Sequence, residues 1–331
     1  MNVTALIPNY NRCAQVTRAI DSVLAQTAPV DEIVVVDDGS TDGSADAIQA
    51  RYGSRVRVLQ QKNAGVSAAR NYGIREAGGD WIALLDSDDL WLPTKMERQF
   101  EALAALGDGF GLCFTDNIFT GNPEMKLSRF QETGFECISR FGPLDNPAKL
   151  ILAEREPFFT SSILVRRSAL SEIGGFDSKM VVREDTDVMF RLSFKIKFCF
   201  ISDPLVEIDR DPTREIGLCN LFALRDERVY RSLQTMWAKW LLMPEVAGSE
   251  YEGIVREKLR AIYYDSAEAK IHALRLQAAL GEFSRLRAMG DGYGSIFKNL
   301  ISRKIAKLRS QRGRPKSAVT MKPIETGSDL H

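Results

Sequence analysis

Apolar stretches alternate with amphipathic stretches along the first 90 residues of this chain. Short apolar runs at 3–8, 32–38, 56–60 and 80–85 predict strands, and the segments between them carry apolar residues at helical spacing, as at Val16, Ile20 and Val23. Four strand–helix alternations in so short a stretch predict a parallel, doubly wound sheet with right-handed crossovers.

The pattern becomes less regular after residue 92 and then wholly helical. Helices are predicted at 93–106, 148–154, 168–173 and 182–192, and strands at 110–115, 158–165 and 198–208, the last interrupted at Pro204. Residues 116–145 show little periodicity, so we expect an irregular excursion there. The expected fold is α/β: a doubly wound mixed sheet over 1–215, a mostly helical extension over 216–292, and a basic amphipathic helix with a disordered tail over 293–331.

Two of the predicted strands end in clusters of carboxylates. Asp37 and Asp38 follow the second strand, and Asp86, Asp88 and Asp89 follow the fourth. In a parallel sheet both ends lie on the same edge, where open α/β sheets bind ligands. Neighbouring carboxylates repel one another, and a hard divalent cation such as Mg²⁺ or Mn²⁺ relieves that repulsion while binding phosphates. We therefore expect a metal–diphosphate site; the alternative is a solvated acidic turn that caps the next helix.

Composition narrows the class of protein. The 331 residues are 44% apolar and 27% charged, which suits a sizeable core, and the formal net charge of zero gives no sign of a nucleic-acid partner. Five cysteines lie far apart without a CxxC pair, which fits a reducing cytosol. The chain starts without a basic n-region, and no apolar run reaches the roughly 18–20 residues of a spanning helix. We expect a soluble, cytoplasmic protein.

The tail differs from the rest of the chain in charge. From residue 293 onward nine basic and two acidic side chains give a net charge of +7. Apolar residues fall on one helical face of this stretch, among them Ile296, Phe297 and Ile301. The pattern predicts peripheral contact with the cytoplasmic face of a membrane through residues 296–316, and the alternative is a solvated helix end with a disordered tail. Trp237 and Trp240 are expected to pack on the first domain or on a second copy in a homo-oligomer.

Five short motifs occur in a fixed order. They are IPNYN at 7–11, VVDDGSTD at 35–42, NAGVSAARN at 63–71, LDSDD at 85–89, and GGFD at 174–177 followed by Glu184 and Asp185. Their order and spacing resemble family 2 glycosyltransferases over about residues 2–210. The resemblance implies a GT-A fold and the inverting transfer of a sugar from a nucleotide-diphosphate donor, UDP being the commonest in the family, to a hydroxyl acceptor. The expected setting is the synthesis of a cell-surface glycan, a lipid-linked saccharide or a polysaccharide.

The resemblance also implies roles for single residues. Asp86 and Asp88 match the DxD motif that holds Mn²⁺ or Mg²⁺, and Asp185 matches the catalytic base, with Glu184 beside it; helix capping by acidic residues is the alternative for this pair. The metal and Arg70 would stabilise charge on the leaving diphosphate, and the base would take the proton of the attacking hydroxyl. The residues implied to line the nucleotide are Pro8, Asn9, Tyr10, Asp38, Asn63, Gly65, Arg70 and Asp86.

The chain departs from the family pattern in one place. Many relatives carry an Arg/His loop near residue 210, whereas residues 207–214 contain no histidine, and His272 and His331 lie outside the match. Arg210 or Arg214 would then contact the diphosphate, unless both are ordinary surface arginines.

Two other functions stay open at this stage. A sugar-nucleotide nucleotidyltransferase would need a glycine-rich phosphate loop, and residues 8–12 contain no glycine. A non-catalytic nucleotide-sugar-binding scaffold need not keep a carboxylate at the base position, which here is Asp185.

Overall fold

A computed structural model describes residues 1–211 and 226–312 of the chain, with side chains up to residue 303. One sheet organises most of it. The strands are β1 (Val3–Asn9), β2 (Glu32–Asp37), β3 (Arg57–Gln60), β4 (Trp81–Leu84), β5 (Leu90–Trp91), β6 (Phe110–Thr120), β7 (Phe141–Leu144), β8 (Leu164–Arg166) and β9 (Lys197–Asp209).

The helices alternate with these strands and then continue alone. They are α1 (Cys13–Leu24), α2 (Ser44–Tyr52), α3 (Val66–Glu76), α4 (Lys95–Leu106), α5 (Arg129–Thr133), α6 (Pro147–Leu152), α7 (Arg167–Glu172), α8 (Glu184–Leu192), α9 (Glu227–Leu241), α10 (Glu250–His272), α11 (Leu276–Ala288) and α12 (Tyr293–Arg312).

The sheet has a parallel half and a mixed half. Its order is β3-β2-β1-β4-β8-β6-β9-β5, and β7 also pairs with β9, on the same side as β5 but at the start of the strand. Strands β1 to β4 pair in parallel, while β8 is antiparallel to both β4 and β6, and β5 and β7 are antiparallel to β9. The strand order reverses between β1 and β4, and ligands bind in the crevice at such a switch point. The predicted mixed α/β sheet is confirmed.

Burial explains why the parallel half forms where it does. Every residue of β1 and β4 is buried, which is typical of strands at the centre of a parallel sheet, and α1 and α3 contact β1. The core beneath them joins both halves of the sheet; it includes Ile7, Ile20, Val35, Leu85 and Cys113.

Three predictions of local structure are wrong. The strand predicted at 158–165 is a 3₁₀ turn, Thr160–Ser162, followed by the short β8, because side-chain and backbone hydrogen bonds curl the chain there. Pro204 does not interrupt β9; it lies at a register shift opposite Asp116, where a ladder donor is not required. The stretch 116–145 is more regular than expected, since it holds the end of β6, α5 and β7.

Helix α9 packs against α8 through buried polar groups. The indole Nε1 of Trp240 donates to Asp187 Oδ1 at 2.9 Å, and Lys239 Nζ donates to Asp187 Oδ2 at 2.8 Å. The ring of Trp240 stacks on Phe190 with centroids 3.8 Å apart. Of the two expected positions for the clustered tryptophans, the structure therefore shows packing on the first domain.

The contacts divide the chain into two compact units, Met1–Ile262 and Tyr263–His331. The second unit has its own small core of Tyr264, Ala267, Phe283, Leu286 and Ile296. The domain boundaries expected near 215 and 292 stay predictions. Over residues 1–211 and 226–312, no helix combines the length and the apolar character needed to cross a membrane.

Candidate active site

The predicted nucleotide residues lie at the carboxyl edge of the parallel half. Asn9 ends β1 in register with Asp37 of β2, and its side-chain amide donates to Asp37 Oδ1 at 3.2 Å. Pro8 is buried in β1, whereas Tyr10 projects beyond the strand and is 48% exposed. This edge of the sheet therefore carries an exposed aromatic ring next to the hydrogen-bonded side chains of Asn9 and Asp37.

Asp38 holds the loop that precedes α3. Its carboxylate accepts hydrogen bonds from the backbone N–H groups of Ala64 and Gly65, both at 2.8 Å, and from Gln61 Nε2 at 2.6 Å. Asn63 and Gly65 are exposed at the tip of this loop. The structure thus brings these residues together, and the role of Asp38 in reading the base stays a prediction.

Gly39 allows the loop to approach this closely. Its φ is +77°, and a Cβ at this position would lie 2.8 Å from the backbone nitrogen of Asn63. Any other residue would meet both backbone strain and a backbone clash, because the left-handed region disfavours side chains.

The carboxylates after β4 form the most acidic part of the site. Burial raises the pKa of Asp88, and the Asp86 and Asp209 carboxylates raise it further. Arg12 acts in the opposite direction, because its Nη1 lies 2.9 Å from Asp88 Oδ1. Burial also raises the pKa of Asp89 well above its usual range, with Asp88 and Asp86 as further causes. Negative charge is therefore unfavourable in this cluster, and a bound cation would relieve the repulsion.

The donor set at this edge fits a hard divalent cation. Asp86 and Asp88 are each partly exposed and offer oxygen ligands, which Mg²⁺ and Mn²⁺ prefer. Mg²⁺ commonly takes only one or two carboxylates and completes its shell with substrate phosphates and water. Within the ranges that the structure covers, no group of three or more Asp, Glu, His or Cys side chains is arranged to hold a metal ion.

Arg70 joins the acidic edge to α8. Its guanidinium is 3% exposed, with Nη2 2.7 Å from Asp86 Oδ1 and Nη1 2.8 Å from Glu184 Oε1. Burial acts to lower the pKa of Arg70, but Asp86 and Glu184 outweigh it and raise that pKa above its ordinary value. The predicted contact of Arg70 with a diphosphate stays a prediction, because the structure shows both Nη groups bound to carboxylates.

Glu184 and Asp185 begin α8 but differ in their surroundings. Burial raises the pKa of Glu184, with the Asp185 carboxylate adding to it and Arg70 opposing it. Asp185 is half-buried; its Oδ1 accepts from the Thr186 N–H at 2.7 Å and its Oδ2 from Thr160 Oγ1 at 3.2 Å. Glu184 thus pairs with Arg70, whereas Asp185 is held by Thr160 and Thr186, and the catalytic roles of both carboxylates stay predictions.

Sequence reasoning missed several residues of this site. Arg12, Thr160, Ser161 and Asp209 contact the carboxylates from distant parts of the chain. A run of three hydroxyl residues within an apolar segment was the signal available for Thr160 and Ser161. Arg210 lies over the Phe159 ring, 5.1 Å from its centroid, so its predicted diphosphate contact is untested, and Arg214 lies outside the described residues.

The model of glycosyl transferase family 2 matches residues 4–174. The chain belongs to glycosyltransferase family 2. The matched range contains the predicted nucleotide and metal residues, whereas Glu184 and Asp185 follow it.

The curated relatives of this glycosyltransferase match part of this chain, and the match covers only part of each relative. The succinoglycan biosynthesis protein ExoO of Rhizobium meliloti is 42% identical over 190 residues, which is 56% of this chain and 53% of ExoO. The putative teichuronic acid biosynthesis glycosyltransferase TuaG of Bacillus subtilis is 38% identical over 102 residues, covering 30% of this chain and 40% of TuaG. An uncharacterized glycosyltransferase of Rickettsia felis is 31% identical over 57% of this chain and 31% of its own length. The chain thus spans about a third to a half of these relatives.

Solved structures share the fold over almost the whole glycosyltransferase chain. S. aureus TarS 1–349 gives a TM-score of 0.64 at 16% identity, covering 95% of this chain and 93% of TarS 1–349. Its complex with UDP-GlcNAc gives 0.62 at 16% identity over 87% and 90%. The mannosyltransferase PcManGT of Pyrobaculum calidifontis, in complex with GDP-Man and Mn²⁺, gives 0.54 at 19% identity over 94% and 82%. This likeness confirms the GT-A-like fold with its helical C-terminal region.

Proposed function

We propose that this glycosyltransferase moves a sugar from a nucleotide-diphosphate donor, with UDP favoured, to a hydroxyl acceptor with inversion. The observation that carries the proposal is the Arg70 bridge, because it holds Asp86 of the donor edge and the start of the base-bearing helix on the same guanidinium. One side of the cleft then carries the leaving diphosphate, and the other carries Asp185.

The reaction assigns each side a task. The acceptor oxygen forms a bond to the anomeric carbon while the bond from that carbon to the diphosphate oxygen breaks, and the diphosphate leaves with the electron pair. Asp185 takes the proton of the attacking hydroxyl, which is general-base assistance worth roughly 10²–10⁴-fold. Attack from the face opposite the leaving group inverts the anomeric centre.

Asp86 and Asp88 would hold a divalent metal, Mn²⁺ or Mg²⁺, which supplies Lewis-acid stabilisation of the leaving diphosphate. Arg12 would share this task, since its guanidinium already lies against Asp88. Arg70 would keep Asp86 oriented, and the loop held by Asp38 would lie along the nucleotide.

The relatives support a setting in cell-surface polysaccharide synthesis. ExoO and TuaG are named for succinoglycan and teichuronic acid biosynthesis, and TarS has been solved with UDP-GlcNAc. We extend this to a saccharide or lipid-linked acceptor for the present chain.

The second unit supports contact with a membrane surface at the cytoplasmic face. Phe297 and Ile301 lie one helical turn apart on α12 and are 56% and 61% exposed, within a stretch of net positive charge. A basic amphipathic helix binds anionic lipid surfaces through both features.

We expect the full chain to co-sediment with vesicles containing phosphatidylglycerol, with binding reduced by salt and by Phe297→Ser/Ile301→Ser. Equal binding to neutral vesicles, or no binding at low salt, would contradict this.

The test of the proposed function is transfer followed by product analysis. Purified enzyme is given UDP-, GDP- and TDP-sugars with Mn²⁺ and a panel of glycan acceptors, and the anomeric configuration of the product is read by NMR. We expect release of a nucleoside diphosphate and an inverted linkage. A retained configuration would contradict the mechanism, pyrophosphate release from a nucleoside triphosphate would indicate a nucleotidyltransferase, and donor binding without turnover on any acceptor would favour a scaffold.

A further inference from the structure

The 3₁₀ turn Thr160–Ser162 lies between the two sides of the site. All three side chains are buried, and the turn comes immediately before β8, the strand that separates β4 from β6. Two of its hydroxyl groups contact the two sides: Ser161 contacts the acidic loop after β4, and Thr160 contacts the start of α8.

Ser161 contacts the acidic loop with one oxygen. Its Oγ accepts the backbone N–H of Asp86 at 3.0 Å and donates to Asp89 Oδ2 at 2.5 Å. The other oxygen of Asp89 accepts the Asp209 N–H at 3.2 Å. Ser161 thereby fixes the backbone from which Asp86 and Asp88 project.

Thr160 contacts the proposed base. Its Oγ1 donates to Asp185 Oδ2 at 3.2 Å, while Asp185 Oδ1 is held from within its own helix by the N–H of Thr186. Two hydrogen bonds from different elements fix the plane of a carboxylate, whereas one allows it to rotate. Thr160 therefore supplies the contact from outside α8 that sets the orientation of Asp185.

Two buried side chains hold the backbone of the turn by hydrogen bonds. Trp91 Nε1 donates to the Ser161 carbonyl at 2.9 Å, and Gln99 Nε2 donates to the Ser162 carbonyl at 3.0 Å. Both donor side chains are buried. A turn that is held by buried hydrogen-bond donors places its side chains more precisely than an unsupported loop does. The hydroxyls of Thr160 and Ser161 consequently have little freedom to move.

We propose that this turn is the positioning element of the active site, with Thr160 orienting Asp185 and Ser161 orienting the metal-binding loop. Both residues act through other groups, so they are positioning residues rather than catalytic ones. The proposal rests on the assignment of Asp185 as the base and of Asp86 and Asp88 as the metal site.

Three adjacent hydroxyls allow a matched test in the chain described here. Thr160→Val keeps the shape of the side chain and removes its donor, so we expect kcat to fall about 10- to 100-fold with the KM for the donor unchanged, because misplacing a reacting group by a fraction of an ångström to an ångström carries such a penalty. Thr160→Ser should restore most of kcat, since it keeps the hydroxyl.

The neighbouring residues should give different results. Ser161→Ala should raise the KM for the donor and the Mn²⁺ concentration needed for half-maximal rate, because the metal-binding loop loses its anchor. Ser162→Ala is the structural comparison, because its hydroxyl donates to the Phe159 carbonyl within the turn at 2.7 Å and contacts neither the acidic loop nor Asp185 in the hydrogen bonds of this site. It should lower thermal stability, and it should change both parameters less than Ser161→Ala does. Thermal unfolding with and without UDP verifies that each variant folds and binds nucleotide.

The outcomes separate this proposal from the proposed function. Wild-type kcat in Thr160→Val, or an equal loss in Thr160→Ser, would overturn the role of Thr160 while Asp185→Asn remains inactive. Full activity in Asp185→Asn would instead overturn the assignment of the base. Equal effects of Ser161→Ala and Ser162→Ala on donor KM would show that the turn has only a structural role.

Discussion

The parallel half of the sheet, β1–β4, and the mixed half, β5–β9, build the active site in different ways. In the parallel half Asp38 and Asp86 of the candidate site lie within two residues of the strands that place them, as Asp38 follows β2 and Asp86 follows β4. In the mixed half Asp185 depends on Thr160 from another part of the chain, and Arg70 reaches across from α3 to bind Glu184. We infer that the parallel half binds the donor and the mixed half carries the acceptor chemistry, so damage to each should have a different signature.

The largest effect is expected from the base in the mixed half. Asp185→Asn should lower kcat by roughly 10²–10⁴-fold, the usual contribution of general-base catalysis, while donor binding stays within twofold of wild type. Steady-state transfer and nucleotide titration measure the two quantities. Asp108→Asn, an exposed carboxylate in the loop before β6, is the control and should be unchanged. A variant that loses donor binding along with turnover would argue against the division between the halves.

The next effect concerns the bridge between the halves. Arg70→Met removes the cation between two carboxylates, one of them buried, and breaking such a pair should lower the free energy of unfolding by about 3 kcal/mol. Urea unfolding at pH 7 measures this. Arg51→Met is the control, because its ion pair with Asp21 is exposed and should contribute under about 1 kcal/mol. Similar losses in the two variants would mean that the bridge does not hold the halves together.

A smaller effect on stability is expected from Lys95, which contacts the two side chains that hold the Thr160–Ser162 turn. Lys95 is fully buried with its Nζ 2.9 Å from Gln99 Oε1 and 4.1 Å from the Trp91 ring centroid, and burial lowers its pKa to about 7. Between pH 7 and its ordinary pKa near 10.5 the unfolded chain binds more protons than the folded one, so stability should rise with pH.

The gain relative to Lys95→Met should be about 2.5 kcal/mol between pH 7.5 and 9.5, since nearly one proton per molecule is involved and each pH unit then corresponds to about 1.4 kcal/mol. Chemical unfolding of both proteins across this range measures the difference. Parallel pH profiles for the wild type and Lys95→Met would show that Lys95 stays charged in the folded protein.

The same contrast explains what the sequence could reveal. The alternation of strands and helices, the acidic strand ends and the GT-A motifs are local, so periodicity and spacing predicted β1–β4 and the grouping of Asp38 with Asp86 at one edge. The direction of β8 depends on how the chain returns between β4 and β6, and no local pattern encodes that.

Residues that reach the site from distant segments were also beyond local reasoning. Arg12 meets Asp88 only because β1 and β4 are neighbours in the sheet, and Ser161 meets Asp89 only because β8 pairs with β4. In the sequence the hydroxyls of Thr160 and Ser161 resemble any polar interruption of an apolar run.

In the proposed mechanism the acidic edge of the parallel half binds a nucleotide diphosphate together with a divalent metal. Thermal unfolding of the wild type, Asp88→Asn and the control Asp108→Asn with UDP, GDP, TDP or CMP, each with and without Mn²⁺, tests it most directly, because a ligand that binds only the folded state raises the melting temperature. We predict a Mn²⁺-dependent rise with one diphosphate, UDP first among them, that is lost in Asp88→Asn and kept in Asp108→Asn. A rise that is equal in all three proteins, or no rise with any nucleotide, would contradict this mechanism.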